Sequence, residues 1–176
     1  NTIKDKNEIA LKIIAPILIL SVLVGIWFVK NNKNEAKIAG AGNTDIELHV
    51  TEKIDIDKLK SYGLPIVIDF GADSCIPCKE MAPVLKELNE ELKGKAIIKF
   101  VDVWTYQELA QGYPISLIPT QIFIDANGKP FKPKDPQASQ MKMYSTKDKG
   151  EHVFTVHEGG MTKDQLLNAL KEMGMK

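Results

Sequence analysis

Charge excess, cysteine and histidine are all scarce in this sequence. Lys and Arg together number 23 and Asp and Glu 23, which leaves a formal net charge of zero. A chain without a basic surplus exerts no electrostatic pull on a phosphate backbone, so nucleic acid is excluded as an expected partner. Only two cysteines are present, Cys75 and Cys78. If they pair with each other, none remains for a structural disulfide elsewhere, and zinc would need two further ligands. The three histidines, His49, His152 and His157, do not stand at finger-like spacing, so no metal is expected. No cysteine closely follows the long apolar run near the N-terminus, which rules out lipid attachment there.

What is present suffices for one globular domain and an appendage: 176 residues, of which 44% are hydrophobic. The appendage comes first. Ile13 to Val29 is a run of 17 residues without a charge. As a helix it extends roughly 26 Å, close to the hydrocarbon thickness of a bilayer, with Pro16 in its first turn and Trp27 near the far end. Residues 1–30 are therefore expected to form an N-terminal flank and a single transmembrane anchor. A cleaved signal peptide and a buried core helix are the competing readings. The first needs small residues soon after the run, and the second fits poorly with a segment apolar on all sides and flanked by Lys. Lys4, Lys6 and Lys12 before the span are balanced by Lys30, Lys33 and Lys37 after it, so charge alone does not orient it. Residues 31–44 read as a polar, glycine-containing flexible linker and 45–176 as the folded domain.

Within that domain the periodicity predicts a strand over 46–50, a helix over 55–62, a strand over 65–70, a helix over 76–92 and a strand over 96–103. A short helix around 106–110, strands over 120–124 and 152–157, and a helix over 162–173 follow. The βαβ order argues for parallel pairing early, and Asn127-Gly128 for antiparallel pairing after it. The expected class is α/β, a mixed central sheet flanked by helices.

Cys75-Ile76-Pro77-Cys78 opens the longest helix. Residues three apart share a helix face, with Cβ atoms about 5 to 6 Å apart, so the two sulfurs can bond or separate with modest adjustment and store two electrons. The redox-active dithiol is its own prosthetic group, and no separate cofactor is expected. At the helix start, unpaired N–H groups and the positive dipole end favour a thiolate on Cys75, the expected nucleophile. Cys78, one turn further in, is the expected resolving thiol, and Pro77 presets the first turn. Asp69, within Ile66-Val67-Ile68-Asp69-Phe70, is costly to bury unless it has a task; the alternative is a strand position facing solvent.

Ile68-Asp69-Phe70, the Cys75 to Cys78 motif with Lys79 and Ala82-Pro83, Ile118-Pro119-Thr120 with Ile122-Phe123-Ile124, and His157-Glu158-Gly159-Gly160 before the last helix occur in one order. Together they resemble the thioredoxin family over roughly residues 46–173. The resemblance implies a thioredoxin fold. It implies that Asp69 lies under the dithiol and exchanges the proton of Cys78, and that Ile118-Pro119 is cis and faces the cysteines. Ile118, Pro119, Ile76 and Pro77 would then meet an extended substrate strand. The implied activity is thiol-disulfide exchange with protein disulfides. A reductant or electron relay is expected, tethered in the cell membrane with its domain outside the cytoplasm and recharged by a membrane thiol-electron transporter. Departures from the family pattern are Ser74 and Gly71 where Trp is usual and Ile76 where Gly is usual. Lys99 falls one residue from the family's lysine near the buried acid, and a slip of one turns a side chain to the other face.

The insertion over 129–150 interrupts a place where a tight hairpin is normal. Pro130, Pro133 and Pro136 argue for loop, and Met141, Met143 and Tyr144 for an added edge strand or a partner-facing patch. Two alternatives to the reductant remain: an oxidant that introduces disulfides, and a copper-binding module using Met141, Met143 and His152.

Overall fold

The computed structural model describes residues 43–176. A helical turn, α1 (Asn43–Ile46), is followed by α2 (Ile56–Ser61), β1 (Ile66–Gly71), α3 (Ile76–Glu91) and β2 (Ile97–Asp102). A 3-10 turn (Gln107–Ala110), β3 (Thr120–Ile124), β4 (Met141–Ser145), β5 (His152–Glu158) and α4 (Lys163–Glu172) complete the order. The run Ile13 to Val29, expected to span a membrane, lies outside the described residues. Among the described helices none is long and apolar enough to cross one.

The five strands form one mixed sheet in the order β2-β1-β3-β5-β4. β1 and β2 pair parallel, and the remaining neighbours pair antiparallel. Side chains alternate across a strand, so β1 divides its residues between two faces. Val67 packs on one side with Ile98, Phe100 and Phe123, beneath Met81, Leu85 and Leu88 of α3 and Leu166 and Leu170 of α4. Ile66, Ile68 and Phe70 are buried on the other. There Phe70 meets the Tyr113 ring at 4.8 Å and Tyr113 meets Phe154 at 5.6 Å. Both faces are covered, which is why β1 reads as a continuous apolar run broken only by Asp69.

α3 owes its direction to a stripe of Cys78, Met81, Leu85 and Leu88, spaced three and four apart and all buried. Full burial of each large apolar chain there is worth about 1.5 to 3 kcal/mol, and this stripe seats the helix start over the middle of the sheet. The helix begins at Cys75 as its cap residue, has Pro77 in its first turn, and runs on through Pro83 on its exposed side.

The strand expected over 46–50 is absent. The chain makes a helical turn up to Ile46, then touches β2 through a single parallel bridge, His49 to Phe100. Phe100 N–H donates to Leu48 O at 2.7 Å and Val50 N–H to Phe100 O at 2.9 Å. The polar run Thr51-Glu52-Lys53 ends the pairing there, while Asp45 is held by Tyr62 Oη and Lys58 Nζ, both at 2.7 Å. The Asn127-Gly128 turn does reverse the chain after β3, but it yields only one antiparallel bridge, Ile124 to Pro130. β3 takes its antiparallel partner from β5 instead. Of the two readings of the insertion, the edge strand holds: β4 pairs with β5 and forms the sheet's last strand.

α4 is fixed by a capping box. Gln165 N–H donates to Thr162 Oγ1 at 3.3 Å, and Thr162 N–H donates back to Gln165 Oε1 at 2.8 Å. Thr162→Ala is expected to lower the unfolding free energy by about 1 kcal/mol, read as an earlier midpoint with unchanged slope in urea.

Candidate active site

The two sulfurs meet where α3 starts above the end of β1. Cys75 and Cys78 are free thiols with Sγ atoms 2.7 Å apart. Cys75 donates its N–H to Ala72 O at 3.1 Å, and its side chain accepts no capping bond from the backbone N–H groups of the helix it caps. That leaves its sulfur at the positive end of α3. Cys75 is 9% exposed and Cys78 3%, so the first sulfur is the more open of two largely covered ones. Around Cys75 the chain is open, with Ser74, Ile76 and Pro77 all exposed. Burial, and after it the neighbouring Cys75, push the Cys78 thiol up to about 12, against the opposing effect of the Ala72 N–H.

Asp69 lies on the α3 face of β1, as Val67 does, and is 1% exposed; the solvent-facing alternative is ruled out. Its Oδ1 accepts from Gln121 Nε2 at 2.7 Å, and its Oδ2 has no hydrogen-bond partner. Desolvation raises its pKa to about 7, although the Gln121 bond pulls the other way. Asp69 Oδ2 and Cys78 Sγ both lie within 3.4 Å of the point where a side chain on Gly71 would begin, and a Phe100 ring carbon lies 2.9 Å from it. Gly71 replaces the family's Trp at this point, and the Phe100 ring occupies the adjoining space. The Asp69 carboxyl and the Cys78 thiol therefore border the same small space beside Gly71.

Ile118-Pro119 is a cis peptide bond, as the resemblance implied. Ile118 packs against Ala72, Cys75 and Cys78, and Pro119 O accepts from Gly159 N–H at 2.8 Å. Among the described residues no hydrogen bond engages the N–H or C=O of Ile118. Three of the exposed large apolar side chains come from segments beside the dithiol: Ile76 within the motif, Leu117 before the cis bond, and Trp104 in the turn after β2. That turn is tied to the motif by Asp102. Its carboxylate accepts from Asp73 N–H at 3.0 Å and from the N–H groups of Trp104 and Thr105 at 2.9 Å, bonds that hold its pKa below the usual carboxylate range.

Lys99 stands in register with Ile68, on the face away from Asp69, and its Nζ donates to Glu47 O at 2.6 Å. This register keeps it away from the Asp69 side of the sheet. The residues considered for copper stand in different settings. Met141 is buried in the core, Met143 is 50% exposed, and His152 Nε2 contacts Phe154 O at 3.0 Å. Among the described residues no group of three or more His, Cys, Asp or Glu could hold a metal ion.

Sequence reading missed Gln121, His157 and Asp102. Gln121 and His157 are buried polar residues inside strands, the same signal that singled out Asp69. Asp102, at the end of β2, carried the Asx-turn signal of an acid two residues before a tight bend.

A vicinal dithiol at a helix start, a buried carboxyl beneath it and a cis-proline loop against it define the class of thiol-disulfide exchange proteins on an α/β scaffold. The sequence model of the thioredoxin family matches residues 48–149. A thioredoxin of Mycoplasmoides gallisepticum is 39% identical over 75 residues, covering 43% of this chain and 74% of that one. Thioredoxin H4 of Arabidopsis thaliana is 33% identical over 92 residues, covering 52% of this chain and 73% of that one. A mutant thioredoxin from Halobacterium salinarum has the same fold, with a TM-score of 0.51 and 23% identity, over 77% of this chain and 98% of that one. The chain belongs to the thioredoxin family and is a thioredoxin-like protein-disulfide oxidoreductase.

The Asp69 carboxyl makes stability depend on pH. Its pKa in the fold, about 7, lies above the ordinary 3.8. Below both values the group is protonated whether the chain is folded or not. As pH rises between them the unfolded chain ionises first, so stability falls until the folded pKa is passed and then levels. Asp69→Asn is expected to be more stable than the parent at pH 8, by at most roughly 4 kcal/mol, with the gap closing below about pH 4. Urea unfolding at several pH values measures it.

Proposed function

We propose that this chain is a membrane-tethered reductant of protein disulfides, with its folded domain outside the cytoplasm. The observation that carries the chemistry is the unpartnered Oδ2 of Asp69 facing the Cys78 thiol. In the forward direction the Cys75 thiolate attacks one sulfur of a substrate disulfide. The substrate S–S bond breaks, one substrate thiolate leaves, and a mixed disulfide joins Cys75 to the other half. Cys78 then gives its proton to Asp69 Oδ2, and its thiolate attacks Cys75 Sγ. The Cys75-Cys78 disulfide forms, the second substrate thiolate leaves, and the leaving thiolates take up protons. Two electrons pass from the dithiol to the substrate, and of the two protons taken up by the leaving thiolates one comes from Cys78 by way of Asp69 and the other from solvent. During the first step the Ile118 backbone and the exposed Ile76 and Pro77 meet the substrate as an added extended strand.

The reductive direction is supported by the state of Cys78. A thiol pushed well above its ordinary value is a strong nucleophile once deprotonated and a poor leaving group, which favours closing the disulfide on this protein over leaving it on the client. A strong oxidant needs the opposite, a reduced form stabilised as thiolate. The tether rests on the uncharged run Ile13 to Val29 with residues 1–30 as anchor, and the linker over 31–44 would give the domain reach. Position outside the cytoplasm fits a tethered thiol carrier where client disulfides form. It would require a membrane thiol-electron transporter to restore the dithiol.

Cys78→Ser in the full chain should accumulate client proteins on Cys75 as mixed disulfides that dithiothreitol releases, and Cys75→Ser should accumulate none. Equilibration with glutathione buffers is expected to place the couple near the thioredoxin value of about −270 mV; a value near −120 mV would assign the oxidant role instead.

A further inference from the structure

The buried polar groups on the α3 face of the sheet form a row. Asp69 on β1 is in register with Gln121 on β3, and Gln121 with His157 on β5. All three are buried. Gln121 Nε2 lies 2.7 Å from Asp69 Oδ1 and 3.1 Å from Gly159 O, while Gln121 Oε1 lies 3.0 Å from His157 Nδ1. The Gly159 carbonyl can only accept. It therefore fixes which end of the amide points towards Asp69: the NH2 group, which donates to Asp69 Oδ1 and Gly159 O, with Met81 Sδ a longer contact of the same nitrogen at 3.5 Å. The amide oxygen is left towards β5, so His157 must carry its proton on Nδ1 and donate. Burial lowers the His157 pKa and keeps the ring neutral in that role.

We propose that Gln121, oriented by His157 and the Gly159 carbonyl, is a positioning residue that occupies Oδ1 of Asp69 and so assigns the transferred proton to Oδ2, the oxygen facing Cys78. This rests on the reading of Asp69 as the acceptor of the Cys78 proton. A carboxyl free to rotate could present either oxygen, and half its orientations would turn the proton away from the thiol. With Oδ1 held, the acid form keeps its hydrogen on Oδ2 and the carboxylate form presents Oδ2 to the thiol, so the proton moves along one line in both directions. The amide donor also stabilises the ionised form, offsetting part of the desolvation that raises Asp69. The titratable groups on the elements packed around Asp69 are Cys75 and Cys78 at the start of α3 and His157 on β5, one hydrogen bond further out. Lys99 on β2 faces the other side of the sheet.

The test uses the full chain and two readouts. One is the pH profile of resolution of a Cys75 mixed disulfide formed with a small aromatic thiol; the other is the carboxyl-carbon NMR titration of Asp69. Gln121→Leu removes the donor and is expected to move the Asp69 midpoint up by about one pH unit or more, slowing resolution at pH 7 several-fold. His157→Phe, which releases the amide, should move it in the same direction by less, and His157→Asn, whose amide N–H can stand where Nδ1–H stood, should restore it. In an Asp69→Asn background Gln121→Leu should cause no further change in the pH profile. A parental Asp69 midpoint in both Gln121→Leu and His157→Phe would overturn the proposal while leaving Asp69 as the acceptor. A pH profile unaltered by Asp69→Asn alone would instead remove Asp69 from the resolving step, and this proposal with it. Near-ultraviolet circular dichroism checks that each variant is folded, and the two single substitutions at different positions keep the test decisive if one of them is not.

Discussion

One buried carboxyl oxygen without a partner sets the terms for the rest of this fold. Desolvating an acid inside a β-sheet is unfavourable by several kcal/mol unless it is neutral or satisfied, and Asp69 is half satisfied: Oδ1 is bonded and Oδ2 is not. The core around it is arranged to keep that state. Val67, Phe100 and Phe123 exclude water below α3, and the start of α3 brings the Cys78 thiol over the gap left by Gly71. On the proposed function, this local loss of stability at neutral pH goes with a proton acceptor whose midpoint, about 7, lies near neutrality.

Register is the device that assembles the site. Asp69, Gln121 and His157 are far apart in sequence and come together only because β1, β3 and β5 pair in one alignment. Because side chains alternate with a period of two, a slip of one residue in any pairing would send the acid or its partner to the opposite face. Lys99 illustrates the rule from the other side, since a neighbouring position on β2 puts it in contact with Glu47 and away from the carboxyl.

That geometry also explains what could be read from the sequence. The dithiol, the strand and helix that present it and the final helix were legible because each depends on local patterns: spacing, apolar periodicity and turn residues; the cis bond at Pro119 came only from the family resemblance. Asp69 was legible as an acid in an apolar strand. Gln121 and His157 carried the same signal, but a polar side chain in a strand becomes informative only when its cross-strand neighbour is known, and pairing partners are not local. The strand expected over 46–50 fails for a related reason. Its residues have strand character, yet the only edge available to them is β2, and the following polar run limits the contact to one bridge.

The insertion over 129–150, read from sequence as mostly solvated loop, belongs to the same physical argument. Without β4 the strand β5 would form the sheet edge, and His157 would lie on that edge; with β4 it lies one strand in. β4 pairs along β5, and Met141, buried in the core, stands directly across from His157 on the α3 side. A Met thioether accepts a hydrogen bond only weakly, so at this register position it does not compete for the His157 Nδ1–H that Gln121 Oε1 accepts. On the proposal above, His157, 4% exposed, holds the Gln121 amide in one orientation and the amide holds Oδ1 of Asp69, with β4 beside them. The chain's largest departure from its family's pattern and its redox centre are joined by a continuous row of buried side chains.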